Sequence, residues 1–129
     1  LYGLARRLLA AGKRPMAALG FPSAGESFYE AEFRALGLET HIATADGSRG
    51  VPGFVTDALP EGWDSFCACG PLPMLQSLCR ATEKPGFLSL EARMGCGFGA
   101  CMGCTVETAF GPRRVCREGP VFRREELSW

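Results

Sequence analysis

The stretch MGCGFGACMGCTV, residues 94 to 106, sets Cys96, Cys101 and Cys104 with four and then two residues between them. After eleven intervening residues, RRVCREGP supplies Cys116. No other feature restricts the fold as strongly. The chain holds seven cysteines, an odd count that argues against a fully paired disulfide framework. Cys67, Cys69 and Cys79 lie scattered on apolar segments and are expected to be buried free thiols acting as small hydrophobes. A reducing, cytoplasmic setting with a metal site fits the whole set, and secretion fits poorly.

Three arrangements compete for the quartet. Structural zinc normally takes cysteines as two close pairs separated by a longer loop, which would make the chain a zinc-stapled, non-catalytic binding module. Disulfides would leave Gly95, Gly97, Gly99 and Gly103 unexplained. The C-x4-C-x2-C…C spacing is the one described for plant-type [2Fe–2S] clusters, and this is the preferred reading. A loop wrapped round a cluster takes backbone angles that a side chain would block, and small residues let N–H groups approach the sulfurs. Such a centre carries single electrons and cannot take a hydride, so it needs a two-electron partner on at least one side. No catalytic acid, base or nucleophile is assigned.

Ahead of the cysteine loop the pattern alternates helix and strand. Leu1, Leu4, Leu8 and Leu9 mark a helical stripe ending at Gly12, and PMAALGF reads as a buried strand. SAGESFYEAEFRALG predicts a helix opened by a Ser23–Glu26 capping box. LETHIATA is the next strand, closed by the turn DGSRG, and VPGFVTDAL predicts a helix starting at Pro52. DSFCAC predicts a further buried strand, running straight into the helix GPLPMLQSLCRATE. This rhythm predicts a parallel sheet covered on its faces, an α/β nucleotide-binding lobe. Such lobes begin on a strand and a glycine-rich turn, whereas this sequence begins on a helix, and no G-x-G-x-x-G occurs in the right context. Residues 87–129 change character: strands at FLSLEA, TVETAF and RRVC surround the cysteine loop. A segment so small needs a staple. The domains are therefore placed at 1–86, a nucleotide lobe incomplete at its N-terminus, and 87–129, the cluster segment.

Lysine plus arginine equals aspartate plus glutamate, 14 of each, so no positive field exists to draw in nucleic acid. No apolar run is long enough to cross a bilayer. His41 sits in a strand pattern and reads as structural. The clusters RRVCRE and FRREE read as solvated faces, and the arginines beside Cys116 as a secondary candidate for docking a partner. Trp63 and Trp129 could be core or interface residues.

SLEARMGCGFGACMGCTVET, followed by RVCREGPVF, resembles the cluster segment of the electron-transfer subunits of class 1B dihydroorotate dehydrogenases. CGPLPML resembles the C-G-P-x-x-M segment of the wider ferredoxin–NADP reductase family, and TADGSRGVPGFVTDAL the stretch after the third strand in those subunits. The resemblance covers nearly all of the chain. It implies a truncated parallel-sheet lobe of the ferredoxin reductase type followed by a small [2Fe–2S] domain, with Cys96, Cys101, Cys104 and Cys116 as iron ligands. Thr44, Asp46, Gly47 and Ser48 would line the nucleotide cleft, and Cys69, Gly70 and Pro71 would lie near flavin and nicotinamide. The implied route runs from dihydroorotate, oxidised at FMN in a catalytic partner subunit, through the cluster and FAD to NAD+, in a heterotetramer serving pyrimidine biosynthesis. Cluster-bearing reductase subunits of a hydrogenase or a transhydrogenase are nearer rivals than zinc. The FAD barrel and the first strand of the lobe have no counterpart here, so the chain, which starts at Leu1, reads as a piece of a longer one, inactive with dihydroorotate by itself. Strands that neighbour a missing central strand are expected to be left with open edges.

Overall fold

The computed structural model describes all 129 residues. They form two compact units, Leu1–Gly62 and Trp63–Trp129.

In the first unit, α1 (Tyr2–Ala10) leads into β1 (Ala17–Phe21), α2 (Glu30–Ala35), β2 (Thr40–Thr44) and the two-residue β3 (Val51–Pro52). The strands are parallel in the order β1-β2-β3, with Ala17 opposite Thr40 and Phe21 opposite Thr44. Parallel neighbours need a crossover, and α2 provides it. Ala5 of α1, Ala17 of β1, Phe33 of α2 and Leu38 form the buried core, with Tyr2, Leu9, Leu19 and Leu36 packed round it. Gly50 has φ +68°, and a Cβ there would lie 2.2 Å from the Ile42 carbonyl oxygen, so only glycine lets the chain turn back under β2.

Two expected helices are corrected. The helix foreseen from Ser23 is broken: Ala24–Glu26 is a single 3-10 turn, and α2 starts only at Glu30. The reason is local. Ser23 Oγ donates to the Glu26 carboxylate (3.2 Å) and accepts no backbone N–H as a cap, Ser27 Oγ donates to the Ala24 carbonyl (2.7 Å), and Tyr29 takes a left-handed φ of 64°. The helix foreseen from Pro52 is likewise displaced. Val51 and Pro52 extend the sheet, and a 3-10 turn over Val55–Ala58 begins where Asp57 Oδ2 accepts the Phe54 N–H (2.7 Å).

In the second unit, β4 (Phe66–Cys69), α3 (Leu72–Ala81) and β5 (Gly86–Ser89) form a parallel β-α-β crossover. Farther along come the short hairpin strands β6 (Thr105–Val106) and β7 (Arg113–Arg114), then β8 (Val121–Arg123), which runs antiparallel to β5. RRVC, foreseen as a strand, pairs only at Arg113–Arg114, and TVETAF pairs with it at Thr105–Val106 and adds a single bridge from Thr108 to Leu127. Leu75, Leu88, Leu90, Cys104, Val115, Phe122 and Leu127 make one core, with Trp129 packed against it. Trp63 stands edge-on to Phe66, its ring centroid 6.0 Å away, beneath the Lys84 ammonium. The sequence division at 86/87 falls inside this unit, between two residues of β5, because the cysteine segment and the β4-α3-β5 crossover bury the same residues.

β1 pairs only with β2, and β4 only with β5, so each is an edge strand of its own sheet. Cys67 and Cys69, expected to be buried, are exposed, and Cys79 is half-buried. β4 turns Phe66 and Ala68 to the core, and strand alternation puts both cysteines on the opposite side. No helix is long and apolar enough to cross a membrane.

Candidate metal centre and nucleotide loop

The loop carrying the first three cysteines follows β5, and the fourth follows β7. Cys104 is 2% exposed and belongs to the core beside Val115, whose N–H donates to the Cys104 carbonyl (3.1 Å). Cys116 packs against the same core, whereas Cys101 faces solvent. Cys104 and Cys116 are therefore anchored on the core, Cys96 is half-buried and Cys101 lies at the rim.

The backbone of the loop is turned toward its sulfurs. Cys96 Sγ accepts the Ala100 N–H (3.2 Å) and the Cys101 N–H (3.4 Å), Cys101 Sγ the Gly103 N–H, and Cys104 Sγ the Cys116 N–H (both 3.5 Å). The N–H groups of Cys101 and Phe98 hold the Cys96 thiol down to about 6. The Cys116 N–H, aided by the Cys116 side chain, lowers the Cys104 thiol, and the same contact raises that of Cys116. Backbone N–H to sulfur bonds thus join Cys101 to Cys96 and Cys116 to Cys104.

These observations test whether the residues suit a [2Fe–2S] cluster. Each iron of such a centre needs two thiolates, and here the four thiols come as two neighbouring pairs, each linked by a backbone N–H to sulfur bond. A Cβ on Gly95 would stand 3.2 Å from Cys101 Sγ, so a larger residue would crowd that sulfur. Gly99 has φ +93°, and its Cβ would meet Arg117 Cδ at 2.8 Å and Arg114 Nη1 at 3.2 Å. Met102, between two of the thiols, is held at φ 60°, a strained angle for a side chain of that length. The donor set fits the cluster.

Sequence reasoning missed two residues here. Arg114 and Glu118, read as part of a solvated cluster, are only 23% and 22% exposed in their side chains and form an ion pair. Arg114, by its side chain and then its backbone N–H, holds the Glu118 carboxyl down to about 2. Opposite charges four residues apart on either side of Cys116 were the available signal. In FRREE, Arg124 Nη2 similarly donates to the Cys79 carbonyl (3.0 Å) at the end of α3.

The nucleotide-loop candidates divide between the units. In the first, Thr44 ends β2 fully buried, with its Oγ1 donating to the Arg49 carbonyl (2.8 Å) and accepting the Arg49 N–H (2.9 Å). Asp46 Oδ1 accepts the Ser48 hydroxyl (2.6 Å) and N–H (2.9 Å), which lowers the Asp46 carboxyl below the usual range. Gly47 makes the turn, and Ser48 Oγ accepts the Ala24 N–H (2.8 Å), tying this loop to the one after β1. Arg49 reaches the Glu30 carboxylate, which also takes Arg34 Nε (3.0 Å). In the second unit, Cys69 ends β4, and Gly70 and Pro71 lead into α3, with the Pro71 carbonyl accepting the Met74 N–H (3.0 Å). Both groups lie at carboxyl ends of parallel strands, where ligands of such folds bind. His41 pairs with Glu39 (2.7 Å) at the start of β2.

Residues 91–128 match the model of the iron–sulfur cluster binding domain of dihydroorotate dehydrogenase B, a span containing all four cysteines. The remainder is equally informative. Over 130 residues the chain is 48% identical to the dihydroorotate dehydrogenase B (NAD(+)) electron transfer subunit of Shouchella clausii, covering 95% of this chain and 50% of that protein. The chain is a homologue of these electron transfer subunits. The Lysinibacillus sphaericus subunit is 49% identical over 131 residues, with the same 95% and 50% coverage. The chain spans about half the length of these relatives. Among solved structures, the NADH-dependent reduced ferredoxin–NADP oxidoreductase, studied for flavin-based electron bifurcation, superposes with a TM-score of 0.82 at 29% identity, covering 99% of this chain and 49% of that one. The fold is thus that of a ferredoxin-reductase-like lobe with an iron–sulfur segment, as the resemblance implied.

Proposed function

We propose that this chain supplies the nucleotide lobe and the cluster segment of an electron transfer subunit. That subunit links dihydroorotate oxidation, at FMN in a catalytic partner, to NAD+ reduction in cytoplasmic pyrimidine biosynthesis. The single observation that carries this is the linking of Cys96 with Cys101 and of Cys104 with Cys116 by N–H to sulfur bonds, inside a segment matching the dihydroorotate dehydrogenase B cluster domain. Bound there, a [2Fe–2S] cluster would supply one-electron transfer. The chain's own part is to hold and shield it. Cys104 and Cys116 fix one side to the core, Cys96 and Cys101 close the other, and the N–H groups of Ala100, Cys101, Gly103 and Cys116 offset the thiolate charge.

Thr44, Asp46, Gly47 and Ser48 form the proposed NAD cleft, and Cys69, Gly70 and Pro71 the edge facing nicotinamide and FAD, within a heterotetramer in the complete enzyme. The division of roles at 86/87 is part of the same proposal: residues 1–86 for the nucleotide and 87–129 for the cluster. A transhydrogenase-type reductase is the second reading, favoured by the bifurcating oxidoreductase neighbour. The higher identity to the dihydroorotate dehydrogenase subunits supports the first.

Anaerobic purification followed by iron and sulfide assay, visible spectroscopy and electron paramagnetic resonance tests the centre. The expected result is a coloured, reducible protein with equal iron and sulfide; a colourless zinc protein refutes it. Assembly of the complete subunit with its catalytic partner tests the reaction. Dihydroorotate-dependent NAD+ reduction is expected, and a requirement for NADPH or ferredoxin instead favours the second reading.

A further inference from the structure

Arg114 occupies an unusual position. Its Nη1 donates to the Gly99 carbonyl in the cysteine loop (2.7 Å) and lies 3.9 Å from Met102 Sδ. The other side of the guanidinium grips Glu118, with Nε 3.0 Å from Oε2, while the Arg114 backbone N–H donates to the same oxygen (2.7 Å). The Arg114 carbonyl accepts the N–H groups of Arg117, Glu118 and Gly119 (3.1, 2.9 and 3.3 Å), closing the turn that carries Cys116. One side chain therefore ties the loop holding three thiols to the turn holding the fourth. Arg114 stands two residues before Cys116, and Gly99 has no side chain where Arg114 and Arg117 lie.

A planar guanidinium with a fork of donors can bridge a carbonyl and a carboxylate at once, which a lysine ammonium cannot do with the same rigidity. The carboxylate aligns the fork and offsets part of its charge. Groups just outside a metal centre that orient its ligands commonly change metal affinity when removed. Fixed charge beside a cluster shifts its potential, because reduction adds a negative charge.

Resting on the reading that a [2Fe–2S] cluster binds at the four cysteines, we propose that Arg114 is a positioning residue that clamps the two halves of the site and raises the electron affinity of the centre, with Glu118 aligning and moderating it. The two residues form one device with opposite electrostatic signs. A role in packing alone would make their removal act in the same direction.

The test is a redox titration of the complete subunit, purified anaerobically with its cluster and followed by the electron paramagnetic resonance signal of that centre, at matched iron content. Iron release to a chelator is measured alongside. Arg114→Gln is expected to move the midpoint to more negative values, and Glu118→Gln to more positive values. Arg114→Lys should hold the potential near that of the parent while losing the fork, weakening iron retention roughly 10–100-fold. Equal-direction shifts in R114Q and E118Q, or an unchanged midpoint in a fully loaded R114Q, overturn the proposal. Should R114Q fail to load, E118Q and R114K decide it: a negative or absent shift in E118Q, or undiminished iron retention in R114K, refutes the clamp. A parent protein that binds no iron fails at the iron assay, which refutes the cluster reading itself before any variant is compared.

Discussion

The loop at residues 44–50 and the loop at 94–104 are both rich in glycine, yet they are held by opposite means. In the first, the side chains of Thr44 and Asp46 satisfy the loop's own backbone and the Ser48 hydroxyl braces Asp46, so the turn is complete without a ligand. In the second, the backbone N–H groups are aimed at sulfurs, and almost nothing else in the loop binds them. N–H to thiol contacts at 3.2–3.5 Å are weak until the sulfur is a charged ligand. One loop is thus preformed by its own side chains, whereas the other is organised around a guest.

The largest expected effect breaks this contrast at its guest. Cys104→Ser, or chelation of the metal, should abolish visible absorption. Hydrogen exchange should then show protection lost across 94–104 and 113–118 while that of β1, β2 and 44–50 persists. Equal loss in both regions would mean that the loops are not held differently. Next comes the shared core of the second unit. Leu88 is fully buried, and Leu88→Ala should cost about 2–5 kcal/mol in chemical denaturation, with faster iron loss because Cys104 and Val115 belong to the same core.

A smaller effect concerns the preformed loop. Gly50→Ala places a Cβ against the Ile42 carbonyl at a left-handed φ, and should destabilise the first unit by at least about 1 kcal/mol in denaturation while leaving iron content unchanged. The smallest is a pH effect. Because Ser48 holds the Asp46 carboxyl below its usual range, the stabilisation is present above the unfolded carboxylate pKa. It fades as the solution is acidified through the lower, folded value. Protection of the Ser48 amide should therefore be flat from neutral pH to pH about 5 and fall only in stronger acid, and Asp46→Asn should remove that acid dependence.

Much of this was legible in the chain. The alternation of apolar runs located β1, β2, β4, α1 and α3, because burial against a parallel sheet leaves a periodic trace in sequence. The capping-box pattern at Ser23 misled, since the same serine and glutamate can bond to each other instead of to a helix backbone. Pro52 misled for a related reason: proline starts helices, but it also suits an edge strand, and β3 pairs only with β2. Cys67 and Cys69 sit in an apolar run, yet only alternate residues of β4 face the core.

The sequence by itself determined the number, spacing and glycine setting of the thiols, because a cluster's demands on ligand type and loop freedom are local and leave their mark within a dozen residues. Only the tertiary structure decided which thiols are anchored and which lie at the rim, and that Arg114 and Glu118 act on the loop and are not spread in solvent. Those outcomes depend on the core that β4, α3, β5 and β8 share with Cys104 and Val115, residues far apart in the chain. Burial is a property of what packs from elsewhere, and no stretch of sequence carries it alone.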